Sequence, residues 1–449
     1  MGDLNTYALF AEHFLNLIAP HSRAGLIVPT GIATDNGTKA YFEGICTKGS
    51  LVSLISFENE AFIFREVHHS FKFCAITLRS DGARQSSAQL CFFIRHFEQL
   101  SQADRLFSLT VEDITLLNPN THTCPVFRSK MDADLTKKIY KRIPVMIDER
   151  DQTNGNPWGI HFHTRLFHMA EDSHLFHEAP GDGLVPLYEA KMLHLYDHRW
   201  ATYRDDGVVI EIPDDGKANP SLKANPRYWI SSLELENRLK AQNWSREWLI
   251  GWRDITNSIA IRTVIPGLLP RTAVGHKFPL LFPGEDFIGL TPLLLGCLSS
   301  LVCDYCTRQK VGGNNMQLFI VRQMPVPPPS AYEQAAIDFI QPRVLELTYT
   351  AHDLKPWAED LGYDGSPFRF EPERRSLLRA ELDAFYAQLY GLTRDELRYI
   401  LDPADVMGPD YPSETFRVLK NNEIRQFGEY RTQRLVLEAW DRLFGGNVE

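Results

Sequence analysis

The sequence predicts an α/β front, a mixed α+β middle and a helical tail. Three observations carry that division. Short continuous apolar runs alternate with helical spacings at the front, aromatics and turn signals crowd the middle, and helical spacing returns after a proline run. The expected regions are 1–110, 111–330 and 331–449. A chain of 449 residues suits two or three domains.

At the front, Tyr7, Ala11, Phe14 and Ile18 recur at helical spacing, and Pro20 stops that helix. Ala24-Gly25-Leu26-Ile27-Val28 then reads as a strand covered on both faces, as parallel strands between helices are. Thr38 to Cys46 reads as a helix, and Leu51–Phe57 and Phe71–Leu78 as further strands. A doubly wound sheet begins with a strand and a Gly-rich turn, whereas this pattern opens on a helix.

In the middle, Asn154-Gly155-Asn156-Pro157, Pro180-Gly181-Asp182-Gly183, Asp205-Asp206-Gly207 and Asp214-Asp215-Gly216 are turn signals between short apolar runs. Pro325-Val326-Pro327-Pro328-Pro329 reads as a stiff extended linker. In the tail, Leu378, Leu382, Phe385 and Leu389 form one apolar stripe with Gly391 as its stop. Thr393 and Glu396 then form a capping box, and Gln426 to Phe444 reads as one last amphipathic helix.

The 44% apolar and 23% charged composition supports ordinary cores. No apolar run is long enough for a membrane span. Seven dispersed cysteines suit a reducing, cytoplasmic setting, and Cys303 and Cys306 read as packing thiols in an apolar helix rather than half a zinc site. The net charge of −10 requires any nucleic-acid contact to come from a local basic surface.

Several stretches together resemble one family. Asp3-Leu4-Asn5-Thr6-Tyr7-Ala8-Leu9-Phe10, then Arg23 to Thr30 ending in Ile27-Val28-Pro29, and then Phe62 to Phe73 are similar to adenine-specific DNA methyltransferases of restriction-modification systems. Pro186 to Lys191, Arg308 to Gly313 and Leu377 to Asp402 resemble the recognition regions of the large single-chain members. The resemblance implies a partial Rossmann-like methyltransferase sheet over 1–110, a target-recognition region over 111–330 and a helical C-terminal region over 331–449. It implies double-stranded DNA as partner, S-adenosylmethionine as cofactor of the complete enzyme, and methyl transfer to the adenine amino nitrogen in restriction-modification or phage defence.

Two family elements are missing from the sequence. Gly181-Asp182-Gly183 follows Ala179-Pro180 rather than a strand, so it reads as a turn and not as the cofactor loop. Asn156-Pro157-Trp158 and Ser366-Pro367-Phe368 each have one proline too few for the catalytic Asn-Pro-Pro-aromatic element. The expectation is a C-terminal portion of a methyltransferase, with no catalytic residue and no cofactor of its own, that pairs with an N-terminal half or self-associates.

Phe64 is the expected base-stacking residue by its place in the resemblance, with Phe62 as competitor and a core role as the plainer alternative. For DNA contact the basic, amide-rich loop supplies Arg308, Lys310, Asn314, Asn315 and Gln317, because Arg reads guanine and Asn or Gln reads adenine. Arg199, Arg271 and Lys277 add cations near aromatics. The rival is a magnesium nuclease on Asp182, Glu189 and Lys191. A third possibility is a structural, partner-binding remnant. His161, His163, His168, His174 and His177 crowd one segment, but the alternation of His161 and His163 with apolar residues reads as surface strand rather than metal site.

Overall fold

Helix α1 (Thr6–Leu17) leads into the outermost strand of a five-stranded sheet, in a computed structural model that describes residues 5–80 and 87–445. Asp3 and Leu4 of the opening motif lie outside the described residues. The strands are β1 (Arg23–Pro29), β2 (Leu51–Glu58), β3 (Lys72–Arg79), β4 (Ser87–Ile94) and β5 (Phe107–Thr110), in the order β1-β3-β2-β4-β5.

The first three strands and the helix Lys39–Thr47 fall where the apolar spacing placed them. The pairing differs from the parallel sheet expected. β3 runs antiparallel between β1 and β2, and among these strands only β2 and β4 pair in parallel. A run such as Ala24–Val28 reports two apolar faces, not strand direction. Leu26 and Val28 pack on the main core opposite Ile76 and Cys74. On the other face Phe57, Cys91 and Ile94 nucleate a smaller cluster with Ile55, Phe73 and Ala75.

The middle region holds three small sheets, with long loops between them as the turn signals require. β6 (His161–His163), β11 (Trp248–Trp252), β12 (Pro266–Pro270) and β14 (Leu280–Phe282) form the order β12-β11-β14-β6. β7 (Leu184–Tyr188) lies between β10 (Tyr228–Ser231) and β13 (Ala273–Val274), and β8 (Ala201–Tyr203) pairs with β9 (Val209–Glu211). At Gly251 a Cβ would meet the Pro279 carbonyl oxygen at 2.2 Å, so β11 needs glycine for this close approach.

The proline run is not a free linker. Val326 is fully buried and its N–H donates to Pro144 O (3.0 Å), while the Trp158 indole donates to Pro327 O (2.9 Å). Proline's extended geometry serves here as a strand-like insert, because apolar neighbours cover it. One buried cluster runs from Ala11 to Ala439, across residues 110 and 330.

The tail is helical. Helix Pro372–Leu389 ends with Gly391 at φ +77°, and Thr393 and Glu396 make the reciprocal capping bonds of helix Arg394–Leu401. The last helix, expected over Gln426 to Phe444, starts only at Arg431 (Arg431–Phe444), because Gly428 at φ +78° ends a separate helix, Arg417–Phe427, just before it.

Candidate nucleic-acid interface

The ends of β1 and β2 open at the same edge of the sheet, tied by a buried hydrogen bond between the Thr30 and Ser56 hydroxyls (3.0 Å). The loop after β2 is organised by Asn59, which is fully buried. Its Nδ2 donates to Phe64 O (2.9 Å) and Val67 O (2.8 Å), and its Oδ1 accepts from Phe64 N–H (2.9 Å). An asparagine side chain here replaces the backbone ladder that the strand has just left. The loop therefore presents Phe62 and Phe64 in fixed positions. Phe64 is 40% exposed, with one edge packed on Phe73 (centroids 4.8 Å). Phe62 is 52% exposed and left-handed, at φ 50°, an uncommon conformation for an aromatic residue. Both rings thus keep surface free for stacking.

Beneath the loop, Glu58 sits between Arg95 (2.7 Å) and Lys72 (3.9 Å). Burial would raise its carboxyl pKa, but the Arg95 hydrogen bond and the Lys72, Arg95 and Arg128 charges outweigh burial and hold it below the usual range. Arg65, on the same loop, is exposed and makes no ion pair or side-chain hydrogen bond among the described residues. Sequence reasoning missed Asn59 and Arg65. An Asn directly after an apolar strand was the available signal for the first.

The loop Gly312–Gln317 lies against the segment after β1, where a Cβ on Gly312 would stand 3.5 Å from the Thr34 hydroxyl. It pairs with a second loop, since Thr256 N–H donates to Asn314 O (3.0 Å), Met316 N–H to Asp254 O (2.6 Å), and Ile255 bridges Asn315. Asn314 and Gln317 are exposed and Asn315 half-buried. Their side-chain amides make no hydrogen bond among the described residues.

The cations expected beside these amides turn inward. Arg308 is buried, ion-paired to Asp304, and donates to Ser258 O (3.1 Å), Ile261 O (2.9 Å) and Thr415 O (3.1 Å). Asp304 also accepts from Arg262 Nε (2.9 Å), Thr263 N–H (2.9 Å) and Val264 N–H (3.2 Å). Lys310 is buried with its ammonium on Leu117 O and Asn118 Oδ1 and 4.5 Å from the Tyr140 ring centroid. Neither reaches the surface in this fold, because the buried helix Leu301–Arg308 carries the start of the loop into the core.

Arg199 is likewise interior, with donors on Asn219 O (2.8 Å), Lys217 O (3.0 Å) and Thr350 O (3.0 Å). Arg271 forks onto Glu236 (2.8 and 2.7 Å), and Lys277 pairs with Asp254 (2.9 Å). Both lie near the surface with their charge already matched.

The nuclease arrangement does not assemble. Asp182 lies in the turn before β7 and Glu189 just after it, at opposite ends of the strand, and Lys191 pairs with Glu189 (3.3 Å). Among the described residues no three His, Cys, Asp or Glu side chains gather as metal ligands, the histidine-rich segment included. No single helix among them is long and apolar enough to cross a membrane. One bent pair, Glu285–Ser299 with Leu301–Arg308, passes by length and composition, and Thr291–Ser299 and Leu301–Arg308 are buried throughout.

The sequence matches no protein-family model and no curated protein. Solved structures similar to this chain include the type IIG restriction endonuclease BpuSI, with TM-score 0.31, 13% identity, and coverage of 89% of this chain and 50% of that one. They also include the type IIL restriction-modification enzyme MmeI in complex with DNA, with TM-score 0.41, 12% identity, and coverage of 96% and 53%. The chain spans about half the length of each.

Proposed function

We propose that this chain recognises double-stranded DNA for adenine amino-group methylation in a restriction-modification or phage-defence system. The observation that carries it is the shared edge beyond β1 and β2. There a fixed loop offers Phe62 and Phe64, and a paired loop offers the free amides of Asn314, Asn315 and Gln317. Exposed rings suit an unstacked base, and unengaged amides suit base edges. β1 and β2 run the same way around the reversed β3, and this supports the front as the rear of a methyltransferase sheet. The chain alone transfers no methyl group. S-adenosylmethionine and the catalytic tetrapeptide belong to an N-terminal half, and the chain works in the cytoplasm.

Fluorescence anisotropy with duplex DNA over a salt series tests this, with the N-terminal half present. Asn314→Ala or Gln317→Ala costs about 1–3 kcal/mol on the preferred site and little on random DNA. Arg65→Ala weakens binding to both and reduces the salt slope by about one counterion. Absence of saturable, salt-dependent binding by the unsubstituted protein refutes the function.

A further inference from the structure

A cavity of about 410 Å³ lies between the middle region and the helical tail, and none of Phe62, Phe64, Asn314, Asn315 or Gln317 lines it. Helix Pro372–Leu389 turns Arg379 and Asp383 into it, next to the core stripe of Leu378 and Leu382. Helix Arg417–Phe427 turns in Asn422, Glu423 and Gln426, which share one face at helical spacing. His194 and Arg262 close the wall from the middle region. Polar groups set around a cavity inside a fold are costly unless a partner satisfies them.

Most of the charges have partners. Arg262 Nε donates to Asp304 (2.9 Å), and Arg431 pairs with Glu373. Asp383 accepts from Leu301 N–H (2.7 Å), and Glu423 accepts from the Thr432 N–H (2.7 Å) and hydroxyl (2.6 Å). Other groups are left over. Among the described residues the Arg379 guanidinium makes no ion pair or hydrogen bond, although Asp383 lies one turn along its helix, and it is accessible from the cavity. The His194 ring packs on Trp200 (centroids 4.7 Å), and neither of its nitrogens is hydrogen-bonded among the described residues. Burial and the Arg253, Arg262 and Arg379 charges push its pKa down to about 3, so the ring stays neutral with one N–H to donate. The side-chain amides of Asn422 and Gln426 are also unengaged among the described residues.

We propose that this cavity binds a mononucleotide, its phosphate between Arg379 and His194 and its base edge against Asn422 and Gln426. A guanidinium forks onto phosphate oxygens, and a neutral imidazole adds a further donor. Asn and Gln amides offer a donor and an acceptor side by side, the complement of a base edge. A bare anion would leave those amides unused. The volume falls within the roughly 300–1,000 Å³ of small-ligand cavities and is too small for a duplex. The site shares no residue with the DNA-reading edge, and the proposal does not rest on that reading.

Isothermal titration calorimetry of the full chain with AMP, GMP, CMP and UMP, alongside inorganic phosphate and the matching nucleosides, tests this. At least one nucleotide binds with one-to-one stoichiometry, about tenfold or more tighter than its nucleoside and than inorganic phosphate. Arg379→Gln weakens that binding about tenfold or more. Gln426→Ala, on an accessible helix face, weakens it about fivefold and alters the preference among the four bases. Thermal unfolding confirms that each variant folds, and if Arg379→Gln does not, the nucleotide panel and Gln426→Ala decide. No nucleotide binding, binding indifferent to the folded variants, or inorganic phosphate binding as tightly as any nucleotide overturns the proposal. Displacement of the nucleotide by stoichiometric duplex DNA, with the same dependence on Arg379, assigns the cavity to a backbone phosphate and also overturns it.

Discussion

Lys310 offers the sharpest test, because its position in the sequence and its position in space imply opposite experiments. A loop lysine beside DNA contributes a counterion to the salt dependence of binding. The structure instead buries the ammonium against Leu117 O, Asn118 Oδ1 and Tyr140, and burial pushes its pKa down to about 7. In the unfolded chain the amine titrates near 10.5. Between those values the unfolded state holds more protons than the folded one, so stability rises with pH through that window and is lower at its acid end. From pH 7 to 9.5 the linkage amounts to about 3 kcal/mol as a ceiling. Lys310→Met keeps the volume and removes the titration. Urea unfolding at both pH values, with the variant as reference, reads the difference. The wild type gains up to about 3 kcal/mol over the variant as pH rises, while the salt slope of DNA binding stays the same in both. A parallel pH dependence of the two proteins, or a salt slope reduced by one counterion in the variant, refutes the interior assignment.

The remaining predictions follow from the same kind of placement. Asp304→Ala strands the Arg262 and Arg308 guanidiniums in the interior and costs about 3–5 kcal/mol, seen as a large fall in unfolding midpoint, whereas a change under about 1 kcal/mol would contradict the network. Asn59→Ala leaves the Phe64 N–H and the Phe64 and Val67 carbonyls without their partner. It costs about 1–3 kcal/mol and increases proteolytic cleavage within residues 60–70, so unchanged cleavage counts against a fixed loop.

Local order was legible from residue spacing. Tyr7, Ala11 and Ile18 place a helix, Ala24–Val28 a strand, and Thr393 with Glu396 a helix start, because each depends on periodicities and caps set within a few residues. Gly428 was missed, as a glycine inside an amphipathic pattern reads as tolerated until its backbone is seen at φ +78°. The proline run predicts a linker because proline's stiffness is local. Its burial depends on Pro144 and Trp158, far away in sequence.

Exposure and partnership lay beyond the sequence. Arg308 and Lys310 look like surface cations because their neighbours are Gly and Asn. Their side chains are claimed by Asp304, Leu117 and Asn118, and Arg199 is claimed by carbonyls of residues 217, 219 and 350. A buried charge is stable only where distant groups satisfy it, so the same residue type is surface or interior according to contacts no spacing encodes. The amides of Asn314 and Gln317 stay outward for the converse reason, because among the described residues the fold brings no hydrogen-bond partner to them, and the rings of Phe62 and Phe64 are covered on one side only. The residue types capable of reading DNA were visible along the chain, and the tertiary structure decided which of them remain free to do so.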